Sequence, residues 1–326
     1  MAKIEDIAKK AGVSITTVSR AINNHPYVSE KTKARIFKTM EELNYTPNSI
    51  AQQLRGQKTN LIGVIISRVT NPFFAYLVNA IEKVATENGY QIVILQTKED
   101  SNLERKFLNM LNTKQIDGLI MTNTESNYKE LKKYLDTNQL VVCNRYIHDD
   151  EMPVIRIDEK KATFEAVDYL IKKGYKRIGY LTGDRIYNHD FRFQGYKEAL
   201  EKNNISVDMD LIFLNVLSTQ QGLDWIENFH NLKKKPDAIF TNSDELGISI
   251  IAYARERGIK IPEELAVVGF DDQLMSAFIS PSLTTIHQPI EEMGRYAAEL
   301  LFSKLLNQKP PKKIELKTHL VIREST

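Results

Sequence analysis

Residues 3–24, KIEDIAKKAGVSITTVSRAINN, decide how the chain begins to fold. Ile4, Ile7, Ala8 and Ala11 recur at the spacing of one helix face, and Gly12 breaks the pattern as a glycine just past a helix C-terminus does. Ser14 is placed to cap a second short helix, in which Val18, Ala21 and Ile22 face inward. Thr16, Arg20 and Asn23 share the opposite face of that helix. Ser29 then caps a third helix over EKTKARIFKTMEELNY (30–45), with Ala34, Ile36, Phe37, Met40 and Leu43 as its apolar positions. Two short helices about a glycine turn, supported by a third, predict a helix-turn-helix.

The outward face of the second helix carries short hydroxyls, one Arg and one Asn. Arg bonds guanine bidentately, Asn reads adenine, and Thr or the apolar Ile15 meets a thymine methyl. Small polar residues prefer caps and loops to helix faces, so their accumulation on one face points to DNA, against an amphipathic bundle helix without a ligand. The charge agrees. The chain of 326 residues carries 44 Lys and Arg against 42 Asp and Glu, a net charge of +2. Residues 1–60 hold ten basic and five acidic residues, a net +5, which leaves −3 on the other 266. A basic head on a faintly acidic body is the pattern of a polyanion-binding module attached to something else.

Residues 46–60, TPNSIAQQLRGQKTN, follow the head. Pro47 ends the third helix, and Asn48 is placed to cap about two helical turns closed by Gly56. So short a helix is marginal alone and needs a partner, which makes an order–disorder element one reading and a plain polar linker the other. Ile50 and Leu54 share a face. Either two copies pack together there, or Leu54 wedges between base pairs from the minor groove.

From residue 61 apolar runs alternate with helical stretches. Strands are expected in LIGVIIS (61–67), QIVILQT (91–97), GLIMT (118–122), LVVCN (140–144), VIRID (154–158) and RIGYLTG (177–183). They continue in LIFLNV (211–216), AIFTN (238–242), LAVVGF (265–270), TTIHQ (284–288) and HLVIRE (319–324). The alternation predicts two doubly wound parallel sheets flanked by helices, with ligands at the carboxyl ends of the strands. Ser67–Phe74, Asn144 and Arg145, Thr241–Asp244, Asp271 and Asp272 fall at such ends, and Arg192 precedes a helix. Carboxylates and amides that bridge vicinal hydroxyls, arginines that donate to oxygens, and two phenylalanines that cover C–H surface suit a polyhydroxylated ligand. The competing reading is strand-end capping plus surface ion pairs.

Several function classes are poorly served. The six histidines are scattered, and no metalloprotease, nucleophile-elbow or phosphate-loop spacing occurs. Cys143 is the sole cysteine, so no internal disulfide forms, and its apolar run marks a buried structural thiol rather than a nucleophile. Trp225 reads as packing. No cofactor or metal is expected. The N-terminus does not read as a signal peptide, and no apolar run reaches the ~18–20 residues of a membrane span, so a cytoplasmic protein without a membrane partner is expected. A solute-binding transport protein would share the body but not the head.

The signature AGVS-x-x-TVSR-x-(I/V)N, with VSEKTKARIFKTMEELNYTPNSIAQQLRG, NPFF (71–74), GFDD (269–272), LTTIHQP (283–289) and the terminal VIREST, resembles the lactose-repressor (LacI) family of bacterial transcription regulators along essentially the whole chain. The resemblance implies a head at 1–46, a hinge helix and linker at 47–60, and a periplasmic-binding-protein-like body at 61–326. Its N-lobe would span about 61–157 and 286–316, its C-lobe about 158–285 and 317–326. It implies Ile15 and Thr16 as variable base-reading positions and Arg20 as the shared base-reading arginine. Ser14, Thr17, Asn23, Tyr27 and Ser29 match phosphate or base contacts. Asn48, Ala51 and Leu54 match the minor-groove hinge, with Leu54 as the wedge. In the body it implies Arg192 and Asp271 as effector contacts, Phe73 and Phe74 as cleft lining, and Asn144 at a hydroxyl-binding position. Arg145, Leu217, Ser243 and Asp244 complete the expected effector site. Leu217 stands in place of a stacking aromatic, Ser243 in place of Asn and Asn144 in place of Asp. A homodimeric repressor on a pseudo-palindromic operator, controlled by a sugar or sugar derivative, follows from the resemblance. The dimer is expected to pack through outer helices such as 73–89 and 244–258, with no tetramerising tail.

Overall fold

The computed structural model describes residues 2–22, 25–45, 58–124, 126, 128–137, 139–146, 154–183, 186, 190–311 and 316–326. They fall into two compact units, 1–59 and 60–326.

The first unit is three helices, α1 (Ile4–Ala11), α2 (Ile15–Ile22) and α3 (Glu30–Glu42). Gly12 takes the left-handed conformation (φ 64°), and Val13 N–H returns to the Ala8 carbonyl at 3.0 Å, closing α1. Ser14 Oγ accepts from Thr17 N–H at 3.1 Å and Ser29 Oγ from Thr32 N–H at 3.3 Å, so both expected caps form. Ile7, Ala8, Ala11, Val18, Ala21, Val28, Ile36 and Met40 make the core. Ala34 and Phe37 depart from expectation, since both are exposed. The inward face of α3 runs through Ile36 and Met40 at i, i+4, and Phe37 lies one residue around from it.

The second unit holds two sheets. The first has the order β2-β1-β3-β4-β5, from β1 (Leu61–Ile66), β2 (Gln91–Gln96), β3 (Gly118–Thr124), β4 (Leu140–Tyr146) and β5 (Val154–Ile155). The second has the order β11-β10-β9-β8-β6-β7, from β6 (Ile178–Leu181), β7 (Ile212–Phe213), β8 (Ala238–Thr241), β9 (Ala266–Asp271), β10 (Thr284–His287) and β11 (His319–Val321). Every expected strand segment contributes one. Pairing is parallel throughout except β10 with β11, an antiparallel edge that the sequence reading did not separate from the rest. Strands such as β9, buried along its whole length, are continuous apolar runs because helices cover both faces of a parallel sheet.

Helices α4 (Pro72–Glu87), α5 (Ser101–Asn112) and α6 (Tyr128–Asp136) serve the first sheet. Helices α7 (Glu159–Lys172), α8 (Phe191–Lys202), α9 (Thr219–Glu227) and α10 (Asp244–Glu256) serve the second. Helix α11 (Ile290–Leu305) follows β10 but packs on α4, β3 and β4 of the first lobe. The chain therefore crosses between lobes after β5, after β10 and after α11. Gly294 permits the close approach of α11, because a Cβ there would lie 2.8 Å from the Leu77 carbonyl oxygen. Cys143 is buried in β4, and burial pushes its thiol up to about 12. Trp225 is buried against Phe213 and Phe229. Among the described residues, no helix is long and apolar enough to cross a membrane.

Candidate functional site

Two surfaces carry the candidate residues, one on each unit. On the first unit, Ser14, Ile15, Thr16 and Arg20 are exposed along α2, with Thr17 half-buried beside them. Ile15 is an apolar side chain 44% exposed at a helix start, which the fold of the unit alone does not require. Tyr27 is 83% exposed in the turn before α3, its ring stacked on His25 at 5.1 Å. Ser29 is spent as the α3 cap. Asn23, Asn48, Ala51 and Leu54, and with them nearly all of the expected hinge, lie outside the described residues, as does the side chain of Arg145.

The concave surface is a cleft of about 490 Å³ in the second unit, at the C-terminal ends of the strands. It brings together Phe73, Phe74, Asn144, Arg192, Leu217, Ser243 and Asp271 from distant parts of the chain. Phe73 and Phe74 open α4, where Asn71 Oδ1 accepts from Phe73 N–H at 3.0 Å, and their rings meet edge to face at 5.2 Å. Asn144 lies within β4, two residues before its end, in the left-handed region (φ 66°). Ser243 caps α10, its Oγ accepting from Leu246 N–H at 3.3 Å, and Leu217 is exposed at the rim.

Arg192 is buried in the first turn of α8. Its Nε and Nη2 both donate to Glu159 Oε1 at 2.7 Å, and Nη1 donates to the Asn242 carbonyl at 2.6 Å. The guanidinium carbon lies over the Phe270 ring, 3.7 Å from its centroid. Asp271 ends β9 at φ 130°, a conformation side-chain-bearing residues rarely adopt. Gln288 Nε2 donates to its Oδ1 at 2.7 Å and Gln273 Nε2 to its Oδ2 at 3.1 Å. Burial, together with the nearby Asp244 carboxylate, pushes the Asp271 carboxyl up to about 8 against the pull of Arg192.

Asp244 does not line the cleft. Its carboxylate turns inward, accepting from Gln273 N–H at 2.7 Å, Ser276 Oγ at 2.6 Å and Thr285 Oγ1. Gly269 leaves room for it, since a Cβ there would collide with Asp244 Oδ1. Asp272 also turns away, to Arg323 at 2.6 Å and His287 at 2.9 Å. Burial works to raise its carboxyl, but those two bonds hold it below the usual carboxylate range. Glu159, Gln273 and Gln288 were missed in the sequence. Gln288 ends the TTIHQ run and the strand-end rule reaches it; Glu159 meets Arg192 across 33 residues with no local signal.

Residues 3–48 match the bacterial regulatory proteins, lacI family, and residues 167–326 match the periplasmic binding protein-like domain. The NTD biosynthesis operon regulator NtdR of Bacillus subtilis is 35% identical over 333 residues, covering all of both chains. The chain belongs to the LacI family. A LacI family transcriptional regulator from Lactobacillus casei, solved with bound sucrose, matches with 32% identity and a TM-score of 0.76 over 82% of this chain and 99% of that one. The lac repressor dimer bound to operator and the anti-inducer ONPF matches with 26% identity and a TM-score of 0.83 over 99% and 98%. As a LacI-family transcription regulator, the chain combines the family's helix-turn-helix unit with its two-lobed body.

Proposed function

We propose that this regulator is a repressor that binds a pseudo-palindromic operator as a homodimer and is controlled by a sugar or sugar derivative held between its lobes. Residues 1–46 are the DNA-binding unit, 47–60 the hinge and 61–326 the effector-binding and dimerising body. Ile15, Thr16 and Arg20 read bases; Ser14, Thr17, Asn23, Tyr27 and Ser29 meet phosphates or bases; Asn48, Ala51 and Leu54 enter the minor groove. The observation that carries the reading is the cleft itself. A buried Arg192 and a buried Asp271 converge with amides and paired phenylalanines on one polar cavity, in a chain whose other unit exposes Ile15, Thr16 and Arg20 on a helix. The sucrose-bound relative and the operator-bound relative each support one half of it.

The lobes change orientation as the ligand binds, and the three crossings carry that change to the hinge. Coupling is reciprocal, so a ligand that weakens operator binding is itself bound less tightly by the DNA-bound protein. A corepressor would invert both signs. The protein acts in the cytoplasm and turns over nothing.

In vitro selection from random duplexes tests the DNA half: the protein enriches an inverted repeat, with affinity that falls steeply as salt rises. A single unrepeated site, or no enrichment, refutes it. Light scattering near twice 37.4 kDa supports the dimer and near four times refutes it. Leu54→Ala lowers operator affinity and bending, and unchanged values remove the wedge role.

A further inference from the structure

Two of the three crossings between the lobes begin and end at one pair of histidines. His287 is the last residue of β10, and α11 starts three residues on, at Ile290. His319 is the first residue of β11, where the chain returns to the second sheet. The two are register partners across the antiparallel β10–β11 edge, and their rings lie 4.7 Å apart, tilted by 33°. His287 Nδ1 also meets Asp272 Oδ2 at 2.9 Å, and Arg323 Nη2 donates to Asp272 Oδ1 at 2.6 Å. The neighbouring elements add no further anion to this group. Asp244 of α10 is spent on Thr285, Ser276 and Gln273, and Glu324 accepts from Ser282 N–H at 2.9 Å. Lys317 brings another cation two residues ahead of His319. Helix α7 packs on the other face of the two strands, where Ile286 and Leu320 alternate with the histidines, so its charges lie across the sheet. Among the described residues, the His287 ring is the one polar or ring partner of His319.

Imidazole is the side chain whose ordinary charge change falls between pH 5 and 8. A first proton on this pair is met by Asp272 through His287 Nδ1. A second has no carboxylate to meet it, because Asp272 already serves His287 and Arg323. It places a cation on His319 with the imidazolium of His287 4.7 Å away. Like charges that close repel, and His319, exposed at the sheet edge, relieves the repulsion by moving off. Both histidines stand where the strands lead into the first lobe, so parting them loosens two crossings together. We propose that the His287–His319 pair is a proton-sensitive joint between the lobes, closed near neutral pH and opened by acid, which makes acidification an input to the regulator separate from its ligand. The open joint holds one more proton than the closed one, so each unit of falling pH favours it by up to about tenfold in population. The joint needs no particular ligand in the cleft. Its effect on operator binding rests on the regulator reading above.

Pulsed electron spin resonance on the full-length chain tests the joint. Spin labels at Lys106→Cys in α5 and Lys197→Cys in α8, both exposed, report one distance between the lobes, and the buried Cys143 stays unlabelled. Labelled chains are refolded with an excess of unlabelled ones, so that each distance lies within one chain. Between about pH 7.5 and about pH 5.5 the wild-type distance distribution shifts, and His319→Gln keeps the neutral-pH distribution throughout. A wild-type distribution that does not move, or a shift that persists in His319→Gln, overturns the proposal. So does a shift confined to the range above about pH 7, where the Asp271 carboxyl, pushed up to about 8, titrates instead. On the operator found by selection, the ratio of wild-type to His319→Gln affinity is near one at neutral pH and departs by about threefold or more in acid, with the titration of the head cancelling in the ratio. A ratio that stays at one overturns acid as an input to the regulator. If no duplex is bound, the regulator reading falls, and the distance still decides the joint.

Discussion

The two units solve opposite physical problems with their polar residues. On the first unit the functional candidates lie outside: Tyr27 is 83% exposed and Arg20 points to solvent from α2. In the body they lie inside: Arg192 is 8% exposed and Asp271 4%. An exposed side chain contributes little to the unit that displays it and is free to serve a partner. A buried charged one must be matched internally, and so function and stability share the same atoms. Breaking the body's site is therefore expected to cost folding, and breaking the head's surface only binding.

The largest effect separates the two directly. Arg192→Met removes both guanidinium bonds to the buried Glu159 carboxylate and should lower unfolding free energy by about 3–5 kcal/mol in a denaturant titration. A loss under about 1 kcal/mol would place the pair with ordinary surface bridges. Arg20→Ala, by contrast, should weaken operator binding by about 10- to 100-fold, the value of one bidentate base contact, with an unchanged melting curve. A shifted melting temperature would show that α2 is not merely a display surface.

A pH series sharpens the contrast. The Asp271 carboxyl is raised in the folded state, so between the ordinary carboxylate range and about 8 the folded protein holds a proton that the unfolded chain has lost. That contribution to stability is full below pH 4 and is lost as pH rises toward 8, with a slope of up to about 1.4 kcal/mol per pH unit. Asp271→Asn should flatten it, and an identical slope in the variant would assign the effect elsewhere. Asp272, with its lowered carboxyl, works in the opposite sense and is lost on acidification. The smallest effect is Ser29→Ala, which removes the α3 cap and should cost about 1 kcal/mol of the head's stability. If operator affinity falls by more than that stability loss explains, Ser29 meets DNA as well.

How much was legible follows the same division. The α1 stop at Gly12, the caps at Ser14 and Ser29 and the buried positions Val18 and Ala21 are set within a few residues of one another, and sequence periodicity reads them. Phe37 was misread because an apolar residue beside the inward face looks the same in a linear pattern as one on it. In the body, strand ends located Asn144 and Asp271 as candidates, and a helix start located Arg192. Adjacent residues on a strand end leave only the first of Asp271 and Asp272 to face the cleft, but nothing local distinguished Asp271 from Asp244, which turns to Ser276 and Thr285.

The sequence by itself determined the helix-turn-helix, the alternation that makes two parallel sheets, and the family, because each depends on spacing along the chain. Only the tertiary structure decided which carboxylates are available. That depends on partners 15 to 51 residues away, such as His287 and Arg323 for Asp272, and on a burial that no single segment sets. It also decided that Arg192 reaches the cleft already paired with Glu159. The charge of the cleft is a property of which groups the fold has already satisfied, and counting acids and bases along the chain does not give it.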